Sequence, residues 1–176
     1  MKKIILKAKL KNRDKFEEHL ADINFDFAPI YWQHDRIYVP RGYKPNRNFP
    51  RLIMRTNLKA VDEAPEYSLI LRRHIEDSGV DIVEESPVTD YTAMVNIIFQ
   101  LGFKQMAEVS RRREDLKLNE NTIIHLDTID NREESYAKIE TILGPDDSVE
   151  AVKKELAETF SSLGESDFIN KPYFDL

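Results

Sequence analysis

The stretch that most restricts the fold is KIILKAKLK, residues 3 to 11. Ile4, Leu6, Ala8 and Leu10 share one parity, and Lys3, Lys7, Lys9 and Lys11 share the other, with Ile5 as the exception. A period of two places successive side chains on opposite faces, so the segment predicts a β-strand with one apolar and one cationic side. Like charges at i and i+2 stand about 7 Å apart, and on an outer face water screens them readily. If that face instead lines a closed space, desolvation and mutual repulsion become costly unless an anion or carboxylate fills it.

Further strand patterns follow along the chain. IYWQHDRIYV at 30 to 39 is rich in aromatic and β-branched residues. RLIMRTNLK and YSLILRRHI read as the two arms of a hairpin, and VDIVEES reads as a third arm after Asp77, Ser78 and Gly79. Three more strands are predicted at about 103–118, 121–130 and 135–143, and PRGYKPNRNFP is a loop.

Three helices punctuate the strands. Asn12 caps one carrying Phe16, Leu20 and Ile23. Asp90 caps a second, with Met94, Ile97, Ile98 and Leu101 on one stripe and Gly102 at its end. Asp147 with Glu150 suggests a capping box for a third, which carries Val149, Val152, Leu156, Phe160 and Leu163 and stops at Gly164. Many antiparallel strands with a few helices make an α+β fold, with a barrel as its closed form. A chain of 176 residues fits one domain, 1–176, able to bury about 70% of its unfolded surface.

Several functions are excluded by what the sequence lacks. It has no cysteine, so thiol chemistry, disulfides and Cys-based metal centres are out. No phosphate-binding glycine loop, HExxH or GxSxG occurs, and the histidines lack ligand-like spacing; His125 beside Asp127 reads as structural. The opening lacks a secretory core, and no apolar run approaches the length of a membrane span, which implies a cytoplasmic protein with no membrane partner. A net charge of -6 argues against a broad nucleic-acid face. Against that acidic total, basic residues recur at strand period: Lys7 and Lys9, Arg111 and Arg113, with Arg55 and Arg72 inside two further strands. Arg112 and Glu114 have the opposite parity and are expected to point outward as surface charges.

The order of elements resembles the CYTH family, the triphosphate tunnel metalloenzymes, which include class IV adenylyl cyclases and thiamine and inorganic triphosphatases. DYTAMVNIIFQLGFK at 90–104, VSRRRE at 109–114, HLDTI at 125–129, YAKIE at 136–140, QHDRIYV at 33–39 and the closing PYFDL carry the likeness, in colinear order. The resemblance implies a closed antiparallel β-barrel whose basic lumen holds a triphosphate or polyphosphate anion. It also implies Mg2+ or Mn2+ held by carboxylates. Carried over by position, the substrate-binding residues are Lys7, Lys9, Arg55, Arg72, Arg111 and Arg113, and the metal ligands Asp127, Glu140 and Glu85.

Departures from the family pattern bear on activity. The ExExK strand falls on Lys3, Ile5 and Lys7, so both acids are gone; Lys138 replaces the first acid of the late pair, and Ile53 the first arginine of R-x-R. Lysine at a divalent-cation site reverses the local field. Three readings follow: an adenylyl cyclase or triphosphatase of reduced activity, a non-catalytic module binding a phosphorylated anion, or a structural or partner-binding domain with a vestigial tunnel. The sequence leaves catalysis, the choice of triphosphate and the oligomeric state open.

Overall fold

The computed structural model describes residues 1–21, 28–43, 49–60, 62–75, 78–169 and 171–175. Eight antiparallel strands close into a barrel in the order β1-β5-β4-β3-β2-β6-β7-β8. They are β1 (Lys2–Lys9), β2 (Tyr31–Pro40), β3 (Arg51–Leu58), β4 (Glu66–Ile75), β5 (Val80–Val88), β6 (Phe103–Lys117), β7 (Thr122–Ile129) and β8 (Ser135–Ile142). Three helices flank it: α1 (Arg13–Ala21), α2 (Tyr91–Gln100) and α3 (Val149–Ser162). The expected α+β barrel is the observed one, and the predicted hairpin and third arm are β3, β4 and β5.

The alternation of β1 is used in an inverted sense. Ile4 and Ala8, both fully buried, point away from the lumen into a core with Phe16 and Leu20 of α1 and Leu156 and Phe160 of α3. The lysine parity therefore faces the barrel interior. α2 covers the other flank, where Ile98 packs with Tyr38, Met54 and Val88. Its packed stripe is Tyr91, Met94, Val95 and Ile98, the 0, 3, 4, 7 spacing of one helical face. Ile97 and Leu101, expected on that stripe, are 50% and 68% exposed; ten residues on a convex sheet bury one narrow stripe only.

Helix ends mostly follow the sequence. Asn12 Oδ1 accepts from the Lys15 amide, and Asp90 Oδ1 accepts from the Ala93 amide at 2.9 Å. Gly102 and Gly164 adopt φ of +85° and +86°, the left-handed conformation that ends a helix at least cost in glycine. The third cap differs from expectation. Asp147 Oδ2 turns back to the Gly144 amide at 2.7 Å, and Ser148 caps α3 through the Ala151 amide. Ile23 and Asp77 lie outside the described residues.

β1 pairs with β5 only at Lys2, Lys3 and Ile4. Above that point a C-terminal segment takes the vacant edge: Ala8 bridges Phe168, and the Ile169 amide donates to the Lys7 carbonyl at 2.7 Å. The chain then turns Tyr173 and Phe174 into the lumen, against Ile37, Ile53, Ile70, Val83 and Val109. The barrel is thus lined by an apolar belt as well as by charge.

Candidate functional site

Register decides which side chains meet inside the barrel. Asp35 of β2 lies opposite Arg55 of β3, and Gln33 lies opposite Arg111 of β6. Arg55 grips Asp35 with two bonds, of 2.8 and 3.0 Å, and Arg111 Nη2 reaches the same carboxylate at 2.6 Å and also donates to Gln33. Arg113 of β6 faces Asp127 of β7 and holds it with two bonds of 2.6 and 2.7 Å. Tyr173 adds its hydroxyl to Asp127 at 2.7 Å. Arg111, Arg113 and Asp127 are at most 4% exposed.

The electrostatics follow from these pairings. Burial alone pushes the Asp35 carboxyl up, but the Arg111 and Arg55 guanidiniums outweigh it and hold it far below the usual carboxylate range. Asp127 is likewise held down by Arg113 and Arg111 against its burial. A second cluster sits lower in the wall: Glu140 accepts from Lys3 at 2.7 Å and from Lys138 at 2.8 Å, with His125 Nε2 at 3.6 Å. These cations keep Glu140 well below its ordinary value despite burial, whereas burial drives Lys138 down to about 8. His125 Nδ1 donates to Asp115 Oδ1, 2.5 Å away. A third cluster joins Arg72 to Asp81 at 2.7 Å and His74 to Asp81 at 3.1 Å.

These groups surround a cavity of about 460 Å³, lined among the described residues by eight lysine and arginine side chains and two carboxylates, Asp35 and Asp81. Lys7, Arg55, Arg72, Arg111 and Arg113 all line it, so five of the six expected anion ligands converge. Lys9 does not: it is half-exposed and pairs with Glu134 at 2.9 Å. Arg112 lies exposed beside the Trp32 ring, but Glu114 is largely covered and pairs with Arg13 of α1, so only the arginine is a free surface charge.

The carboxylates do not fit a divalent metal. Asp127 is saturated by Arg113 and Tyr173, Glu140 by two lysines, and Glu85 stands exposed with the Ser68 hydroxyl at 2.6 Å, sharing no partner with either. Magnesium needs oxygen ligands in near-octahedral array, and here the oxygens are already committed to cations. Among the described residues no group of three or more His, Cys, Asp or Glu side chains could hold a metal ion.

Comparison with solved structures matches this architecture. A protein from Pyrococcus horikoshii superimposes with a TM-score of 0.83 at 20% identity, over 97% of this chain and 95% of that one. A protein from Vibrio parahaemolyticus, provisionally named an adenylate cyclase, gives 0.81 at 15% identity over 98% and 95%. The fold is the CYTH-type barrel. A provisionally named adenylyl cyclase from Hippeastrum, with a dominant triphosphatase activity, has the CYTH-type barrel too, at a TM-score of 0.62 and 15% identity over 99% and 94%. No family model and no curated protein matches the chain.

Four participants escaped the sequence reading. Asp35 and Asp81 were not foreseen as counter-ions, Tyr173 not as a lumen residue, and Arg51 not as part of the wall. Arg51, Ile53 and Arg55 alternate on β3, so parity alone would have placed Arg51 inside. The partners of Asp35 depend on which distant strands pair, and no local pattern carries that.

Proposed function

We propose that this chain is a binding module that holds a phosphorylated small molecule in its basic lumen without divalent-metal chemistry. The observation that carries the reading is the imbalance of charge in the cavity: among the described residues, eight cationic side chains against two lining carboxylates. Even after Asp127 and Glu140 behind the wall are counted, positive charge is left over. Such an excess in a low-dielectric site attracts a polyanion and needs no metal to do so. Lysines at the family's carboxylate positions, Lys3 and Lys138, work against a cation and in favour of an anion.

The test is titration with tripolyphosphate in EDTA and in manganese, followed by thermal shift and by phosphate release. A binding module gives a comparable rise in Tm in both conditions and releases no phosphate. Binding that appears only with manganese, accompanied by turnover, overturns the proposal and restores a metal-dependent triphosphatase or cyclase. An alanine change at Arg113 is a poor probe here, because it strips the fully buried Asp127 of its two-bond partner.

A further inference from the structure

Among the described residues Arg55, Arg72, Arg111, Arg113 and Lys138 of the lumen each meet a carboxylate, Lys153 donates to the Ser78 carbonyl, and Arg51 forms no ion pair. It is 7% exposed, and no carboxylate among the described residues forms an ion pair with it. Its Nε is buried without a hydrogen-bond partner. Directly across the ladder stands Arg72, whose Nε is also buried and unpartnered. Two like charges facing each other on adjacent strands are destabilising, and the one acid at hand, Asp81, is already shared between Arg72 and His74. Burial and the Arg72 charge both press the Arg51 guanidinium toward neutrality, while Asp81 and Asp175 act on it only through their field.

The surroundings of this pair are apolar on both sides. Phe174 lies with its ring centre 5.5 Å from the Arg51 guanidinium carbon. Below, Ile53, Ile70 and Val83 belong to the belt that separates Arg51 from Arg55. Four residues of strand span about 13 Å, so the Arg51 cluster and the Arg55 cluster are distinct stations. Each arginine of the lower station is bonded to Asp35 or Asp127; in the upper one, Arg51 has no carboxylate bonded to it among the described residues.

We propose that Arg51 and Arg72 form a receptor for a single terminal phosphate, belonging to an organic phosphomonoester whose apolar body lies along the isoleucine and valine belt under Phe174. This rests on the reading of the lumen as an anion-binding site and narrows it from a triphosphate chain to one phosphoryl group with an apolar substituent. A guanidinium with no carboxylate can give its donors to phosphate oxygens, and a belt without charge rewards an apolar body and not further phosphates.

The experiment is calorimetric titration in EDTA with phenyl phosphate, inorganic phosphate and tripolyphosphate, on the wild type, Arg51→Met and Phe174→Ala. The wild type is expected to bind phenyl phosphate at least tenfold more tightly than inorganic phosphate. Arg51→Met is expected to lose at least tenfold in phenyl phosphate affinity while the free protein melts at a higher temperature, since an unmatched buried charge is gone. Phe174→Ala is expected to weaken phenyl phosphate severalfold and inorganic phosphate little. An Arg51→Met protein that binds as well as wild type, or that melts lower or fails to fold, overturns the inference, because a structural arginine would behave so. If tripolyphosphate binds and phenyl phosphate gains nothing over inorganic phosphate, this inference falls and the basic-lumen reading stands. If none of the three binds the wild type, both fall.

Discussion

Asp127→Asn removes one charge from the most enclosed ion pair in the barrel and leaves its shape intact. Arg113 is 2% exposed and gives Asp127 two bonds, of 2.6 and 2.7 Å. Removing one partner of such a pair costs about 3–5 kcal/mol, because the remaining charge stays buried and unmatched. The amide oxygen of Asn keeps one acceptor for Arg113, which places the expected loss near the lower end, about 3 kcal/mol. At an m-value of about 1–3 kcal/mol/M, the urea midpoint falls by roughly 1–3 M. The double variant Arg113→Met, Asp127→Leu removes both charges and recovers most of that loss. Acid provides an internal check. The folded pKa of Asp127 is depressed, so its contribution is fully present above the unfolded value of about 3.9 and is lost as pH falls below it. The gap between wild type and Asp127→Asn therefore closes in acid. A midpoint loss equivalent to under about 1 kcal/mol, or a double variant no better than the single one, refutes the assignment of Asp127 to the wall and reopens a ligand role for it.

Lys138 makes the opposite pH statement: its folded pKa of about 8 lies below the ordinary 10.5, so its contribution is fully present above the unfolded value and is lost as pH falls through 8. Wild type should therefore gain up to about 3 kcal/mol relative to Lys138→Met between pH 7.5 and 10.5, read from paired urea melts at the two pH values; parallel profiles would contradict it. Asp90→Ala removes the α2 cap and should cost about 1 kcal/mol, a Tm decrease of roughly 2–4 °C measurable by calorimetry.

Local chemistry was legible in this sequence wherever one residue and its near neighbours decide the outcome. The Asp90 cap, the Gly102 and Gly164 stops and the parity of β1 needed only short-range geometry. The Asp147 cap failed because two acceptors, Asp147 and Ser148, competed within one turn, and the Gly144 amide claimed the first. At the site, the family resemblance pointed to Lys7, Arg55, Arg72, Arg111 and Arg113, which line the cavity, but neither it nor parity could say which were already spoken for. Asp35 meets Arg111 across 76 residues of chain, and the level of a residue along the barrel is set by the stagger of the strands. That is why Lys9, of the same parity as Lys7, ends up pairing with Glu134 outside the cavity, and why Arg51 went unnoticed.

The seam between β1 and β8 joins segments as distant as Lys3 and Glu140, 137 residues apart. Contacts of such span slow folding, since the entropy of closing a long loop is lost before the contact forms. Until that seam zips, both bordering strands offer open edges to neighbouring molecules. Recovery on refolding should accordingly fall with protein concentration, and slower synthesis at low temperature should raise the yield of monomeric material.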